Sequence, residues 1–211
     1  ELSNNLKFYF AGSSEMFGKV SQISQDESTP FHPRSSYGIS KTAGYYLTIN
    51  YREAHKLRAS VGILFNHESP RRGFEFVTRK ISSYVARIKL GKEKQVRLGN
   101  FNALRDWGHA KDYVKAMWLM LQQDKPNDYV ICSGETHSVK EFAELAFAVV
   151  DLNYQDYVVI DDEFFRPAEV NVLIGDASKA KAELDWKNQH SFHQIVEEMV
   201  KSDYDLESKI I

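Results

Sequence analysis

The chain has 211 residues, 43% of them hydrophobic, enough to bury one core or two small ones. Its 27 basic and 29 acidic residues leave a net charge of -2, which removes any global electrostatic case for nucleic acid or an anionic membrane surface. No apolar stretch approaches the ~18 residues of a membrane helix and no signal pattern opens the chain, so any phosphate must be met by local arginines.

Taken in order, Lys7-Phe8-Tyr9-Phe10-Ala11 predicts a short buried strand, ended by Gly12-Ser13-Ser14, a turn that exposes small hydroxyls and can start a catalytic loop. The polar stretch 19–36, with Pro30 and Pro33, predicts a loop. Ser36 then precedes a helix from about Tyr37 to Lys56, and Leu57 to Phe65 predicts a strand. Asn66 to Gly73 reads as a polar, basic loop, and Phe74 to Leu90 as a helix closed by Gly91.

Gln95 to Leu98 predicts a strand, Ala110 to Gln123 a helix, and Tyr129 to Ser133 another strand. Three more helices are predicted, over Val139 to Val150, Ser178 to Leu184 and Phe192 to Tyr204. This alternation predicts an α/β fold, a largely parallel sheet covered by helices, with ligands at the carboxyl ends of the strands. The single cysteine, Cys132, cannot form an internal disulfide; its apolar flank predicts burial in a strand and a reducing, cytoplasmic setting.

Tyr37-Gly38-Ile39-Ser40-Lys41 places a phenol and an ammonium at i and i+4 on one helix face. An ammonium close to a phenol favours the phenolate, so such a tyrosine can move a proton to or from a sugar hydroxyl. The spacing alone is common in proteins; its surroundings in this chain are not. Ala11-Gly12-Ser13-Ser14-Glu15-Met16-Phe17-Gly18, then the run from Thr29 to Lys41, then Asn66-His67-Glu68-Ser69-Pro70-Arg71-Arg72-Gly73, resemble the GDP-mannose 4,6-dehydratases, within the extended short-chain dehydrogenase/reductases. Phe76 to Ile81, Leu98-Gly99-Asn100, Arg105 to Tyr113 and Arg166 to Val170 continue the resemblance in the same order, over essentially the whole chain.

The resemblance implies an incomplete Rossmann-type doubly wound sheet with a smaller C-terminal substrate-binding α/β domain. Residues 1–66 and about 108–135 would belong to the NADP-binding part, and 67–107 and about 136–211 to the nucleotide-sugar part. It implies that Ser13 hydrogen-bonds the hexose 4-hydroxyl, that Tyr37 removes its proton, and that Glu15 takes the C5 proton before water leaves from C6. Lys41 would hold the nicotinamide ribose, with His67 and Arg72 also on NADP. Asn66, Lys80, Arg105 and Arg166 would meet GDP-mannose, the arginines offering paired donors to its diphosphate. Relatives of this kind form dimers or tetramers through the Tyr37 helix and a preceding region.

The family's glycine-rich dinucleotide turn is not among these residues, since Gly12 and Gly18 lack its spacing. With Glu1 at the start and not Met, the expectation is a sequence lacking its natural beginning, and an isolated 211-residue chain that is unstable and inactive. Ser13 stands where threonine is common, and Phe17 and Ser36 replace a frequent tyrosine and proline. A related nucleotide-sugar epimerase or dehydrogenase sharing the Tyr and Lys is the nearest alternative; Glu15 discriminates, because simple 4-epimerisation needs no base at C5. A non-catalytic binding relative would show damage at Ser13, Glu15, Tyr37 or Lys41, all of which are present. His190 and His193 read as surface histidines, not a metal pair, Trp107, Trp118 and Trp186 as packing residues, and Asp161-Asp162-Glu163 as a solvated turn.

Overall fold

The computed structural model describes residues 6–20, 22–164 and 172–210. In chain order the strands and helices are β1 (Lys7–Ala11), α1 (Ser36–His55), β2 (Arg58–Leu64), β3 (Asn66–Glu68), α2 (Val77–Lys89), β4 (Val96–Leu98), β5 (Leu104–Arg105), β6 (Trp107–His109), α3 (Ala110–Gln122) and β7 (Asp128–Ile131). They continue with β8 (His137–Ser138), α4 (Val139–Ala148), β9 (Val158–Ile160), β10 (Val172–Leu173), α5 (Ser178–Leu184) and α6 (Phe192–Ser208). Two compact units result, one from Glu1–His67, Asp106–Glu135 and Val172–Gln189, the other from Glu68–Arg105, Thr136–Asn171 and His190–Ile211. Among the described residues no helix is long and apolar enough to cross a membrane.

The first unit is built on a parallel sheet in the order β1-β2-β7, with Ala11 opposite Gly62 and Leu64 opposite Ile131. The central strand β2 is buried from Ala59 to Leu64, which is why it reads as a largely apolar run, broken only by Ser60, and not as an alternation. Helices α1 and α3 pack on β1 and β2, and α5 on β7. Gly44 lets α1 approach closely, for a Cβ there would stand 2.2 Å from the Phe10 ring. At the far end of the sheet, Arg52 of α1 forks onto Asp128 of β7 at 2.8 and 2.7 Å and also donates to the Ala59 carbonyl. Cys132 is buried just past β7, and burial pushes its thiol well above its usual range.

The second unit packs α2, α4 and α6 against one another around Ile81, Val85, Phe142, Phe147, Val196 and Met199. Short strands complete it: β4 runs parallel to β9, and β5 antiparallel to β8. Helices α4 and α6 each start at a capping box, Ser138 with Glu141 and Ser191 with Gln194, which satisfies two otherwise orphaned N–H groups apiece.

Several sequence expectations shift. The expected loop at Asn66 contains strand β3, which lies beside β6; three polar residues carry no readable period-2 signal. The helix expected from Phe74 begins at Val77, and Phe74 and Phe76 are exposed in the preceding turn. They extend the apolar period, yet their rings are covered by guanidinium groups: Arg79 lies over Phe74 at 4.5 Å and Arg72 over Phe76 at 3.6 Å. Trp107 and Trp186 are core, whereas Trp118 is 53% exposed on α3 beneath the Lys115 ammonium. In the acidic turn Asp161 is not simply solvated, since it pairs with Arg97 at 2.8 Å.

Candidate active site

The carboxyl end of β1 leads through Gly12 into a single 3-10 turn, Ser14–Met16, for which Ser13 is the N-cap. The Ser13 hydroxyl oxygen accepts the Glu15 backbone N–H at 3.2 Å, a role that leaves its own O–H to donate elsewhere. Of the two hydroxyls expected in this turn only Ser13 is partly exposed; Ser14 is buried. Met16 and Phe17, both fully buried, anchor the turn, and backbone bonds between Phe17 and His32 and between His32 and Lys19 pin the segment beyond it. Glu15 is thereby carried on a short element held at both sides, itself half-buried.

Helix α1 starts where Ser35 accepts the Gly38 N–H at 3.0 Å, which places Tyr37 in the first turn with 53% of its surface exposed. One turn on, the Lys41 ammonium donates to the Ala11 carbonyl at 2.9 Å and lies 5.6 Å from the centre of the Tyr37 ring. That bond satisfies the last carbonyl of β1 and fixes a cation beside the phenol. Gly38, between the two, packs on the Glu15 backbone, where a Cβ would stand 2.6 Å from the carbonyl oxygen. Ser13, Glu15, Tyr37 and Lys41 are therefore gathered at one strand end, with a hydroxyl, a carboxylate, a phenol and an ammonium in one neighbourhood.

Asn66 and His67 come just after β2, the strand next to β1 in the same sheet. His67 Nδ1 lies 2.9 Å from the Phe65 carbonyl, an acceptor only, so that nitrogen carries the proton. Its ring stacks on Tyr113 at 4.8 Å. Of the remaining basic candidates, Arg72, Lys80 and Arg105 belong to the second unit and have separate partners. Arg72 meets buried Glu68 at 3.2 Å, and burial raises the Glu68 carboxyl above its usual range against the opposing pull of Arg72 and Thr78. The Lys80 ammonium sits over the Phe164 ring at 3.8 Å, partly desolvated, which lowers its pKa. Arg105 donates to the Leu104 carbonyl. Arg166 lies outside the described residues.

Two residues are not marked by the sequence. Gly38 is one, because nothing local shows which glycine meets a distant carbonyl. Asp106 is the other: buried, it accepts from the Ser133 N–H and hydroxyl at 2.8 and 2.6 Å and from the Gly134 N–H at 3.0 Å, clamping the turn after β7. Burial raises its carboxyl despite those bonds. Among the described residues no group of three or more His, Cys, Asp or Glu is arranged to hold a metal ion.

Comparison with known proteins accords with this geometry. The family model for GDP-mannose 4,6 dehydratase matches residues 1–199. GDP-mannose 4,6 dehydratase 2 of Arabidopsis thaliana is 57% identical over 201 residues, 95% of this chain and 54% of its own length. The Homo sapiens GDP-mannose 4,6 dehydratase is 50% identical over 222 residues, 97% of this chain and 60% of its own. The chain thus spans a little over half the length of these relatives. In fold, it is similar to the structure of RMD from Pseudomonas aeruginosa complexed with NADPH, with a TM-score of 0.87 at 23% identity, covering 95% of this chain and 67% of that one. The dTDP-glucose 4,6-dehydratase of Bacillus anthracis in complex with NAD gives 0.83 at 22% identity, over 96% and 63%. These likenesses identify a Rossmann-type α/β fold, and the sequence matches go further: the chain belongs to the GDP-mannose 4,6 dehydratase family.

Proposed function

We propose that the intact protein is a hydro-lyase that converts GDP-mannose to GDP-4-keto-6-deoxymannose with a recycled NADP, in the cytoplasm, as a dimer or tetramer. The observation that carries this reading is the Lys41 ammonium tied to the Ala11 carbonyl beside Tyr37, with Gly38 seated on the backbone of Glu15. Identity of 57% to a protein named for this activity supports the choice of substrate.

The donor set suits a nicotinamide dinucleotide: an ammonium for ribose hydroxyls, and an imidazole and a guanidinium for anionic groups. Lys41, His67 and Arg72 would hold it. The cofactor held there would supply hydride transfer, away from C4 of the hexose and back to C6. Tyr37 takes the proton of the 4-hydroxyl, and Ser13, whose oxygen already accepts from Glu15 N–H, donates its hydroxyl to the same sugar oxygen. Once C4 is a ketone the C5 proton is acidified, and the Glu15 carboxylate is an adequate base for it; that proton leaves with the C6 hydroxyl as water, and once hydride reaches C6 the proton first taken from the 4-hydroxyl is made good at C5. Asn66, Lys80, Arg105 and Arg166 orient the nucleotide sugar, the arginines on its diphosphate.

The test is product analysis. Incubated with NADP, the intact protein should turn GDP-mannose into a 4-keto-6-deoxy sugar nucleotide and leave UDP-glucose unchanged. Formation of a C4 epimer without water loss would replace the dehydratase reading by the epimerase one.

A further inference from the structure

We infer that Arg79, anchored by Asp203, is a positioning residue that sets the Pro70 to Arg72 turn and through it the Arg72 guanidinium. The inference rests on the proposed role of Arg72 toward NADP.

Arg79, on α2, is a buried cation. Its Nε and Nη2 approach Asp203 Oδ1 of α6 at 2.9 and 2.7 Å, and the other carboxylate oxygen accepts the Ser82 hydroxyl at 2.5 Å. The remaining edge of the same guanidinium turns toward the basic loop. Its Nη1 donates to the carbonyls of Pro70 and, at 3.2 Å, Arg72. One planar fork thus joins a carboxylate from the last helix to two carbonyls of the loop backbone, a task that lysine, a point donor, cannot perform.

A buried ion pair is weak ground for stability, because well-packed apolar residues often serve as well. What the pair supplies here is direction: two loop carbonyls are held by a group that cannot rotate without abandoning Asp203. The Arg72 side chain is then braced from its own end, with Nε closest to Glu68 and the guanidinium carbon over the Phe76 ring, 3.6 Å from its centre. Glu68 is itself held by the Thr78 hydroxyl at 2.7 Å, on the same helix as Arg79. The backbone and side chain of Arg72 are thus both held through the first turn of α2, as a cation kept ready for an anionic ligand should be.

A double-mutant cycle on the NADPH dissociation constant of the intact protein, read by cofactor fluorescence beside a thermal melt, tests this. Arg72→Ala should weaken NADPH about tenfold, and Arg79→Lys, which keeps the charge for Asp203 but not the fork, about fivefold. Combined, they should be no weaker than Arg72→Ala alone, because Arg79 acts only through Arg72. Asp203→Asn should repeat the pattern if Arg79→Lys folds poorly. Effects of Arg79→Lys or Asp203→Asn that persist in the Arg72→Ala background, or no effect in the wild-type background, overturn the inference. Unchanged NADPH binding by Arg72→Ala overturns instead the role given to Arg72, and the inference with it.

Discussion

Gly38 of the Tyr37 helix rests on the carbonyl oxygen of Glu15, so close that a Cβ at that position would stand 2.6 Å away. Two segments that carry the proposed acid–base pair are thereby packed backbone to backbone, and their separation is set by the absence of a single methyl group. Replacing Gly38 by alanine should gain about 1 kcal/mol of helix propensity and lose about 1–3 kcal/mol to overpacking. The loss should win, because the turn cannot retreat past buried Met16 and Phe17. Denaturant unfolding should show net destabilisation, and kcat should fall more than stability alone explains.

Tyr37 is half exposed, so its hydroxyl adds little stability, and the role proposed for it is chemical. Tyr37→Phe should lower kcat about 10²- to 10⁴-fold while moving unfolding free energy by no more than about 0.5 kcal/mol. Steady-state kinetics with GDP-mannose, paired with a melt, checks both halves. A loss of activity that tracks a loss of folded protein would contradict the assignment.

Arg52 and Asp128 tie α1 to β7 away from the chemistry, with side chains only 17% and 11% exposed. Arg52→Met strands a carboxylate in a poorly hydrated place and should cost about 3 kcal/mol. Adding Asp128→Leu should restore much of it, since removing both partners costs less than orphaning one. Activity per folded molecule should be nearly unchanged in the double variant.

Glu141 closes the capping box of α4, and the Ser138 backbone N–H, the largest influence, holds its carboxyl below the usual range. A depressed folded-state pKa gives stabilisation that is present above the unfolded value near ~4.3 and lost as pH falls through the folded value. Unfolding midpoints measured from pH 7 downward should therefore drop in that acidic window, and Glu141→Gln should flatten that part of the profile. A variant with the same acid slope as the parent would remove Glu141 as its source.

Legibility in the sequence depends on how local each feature is. Helices α4 and α6 are legible in their apolar period, and β2 in its largely apolar run, because both signals lie within a few residues. The Ser13 to Glu15 turn and the Tyr37 to Lys41 spacing are visible as motifs, and their meeting at the end of β1 is a consequence of the parallel order of strands. The hidden features depend on partners far along the chain. Asp203 meets Arg79 across 124 positions, Gly38 meets a carbonyl from another element, and the Phe74 and Phe76 rings that imitate a helix face are covered by arginines. Strand β3 escapes because three polar residues hold no period.

The most direct test of the site at the end of β1 is Glu15→Gln in the intact protein, monitored through a single turnover with GDP-mannose and NADP. The side chain keeps its shape and loses its basicity, so reduced nicotinamide should appear and persist, with a 4-keto sugar that retains its C6 hydroxyl. Release of 4-keto-6-deoxy product at the parent rate would contradict this mechanism, since the carboxylate would then have no part in removing the C5 proton.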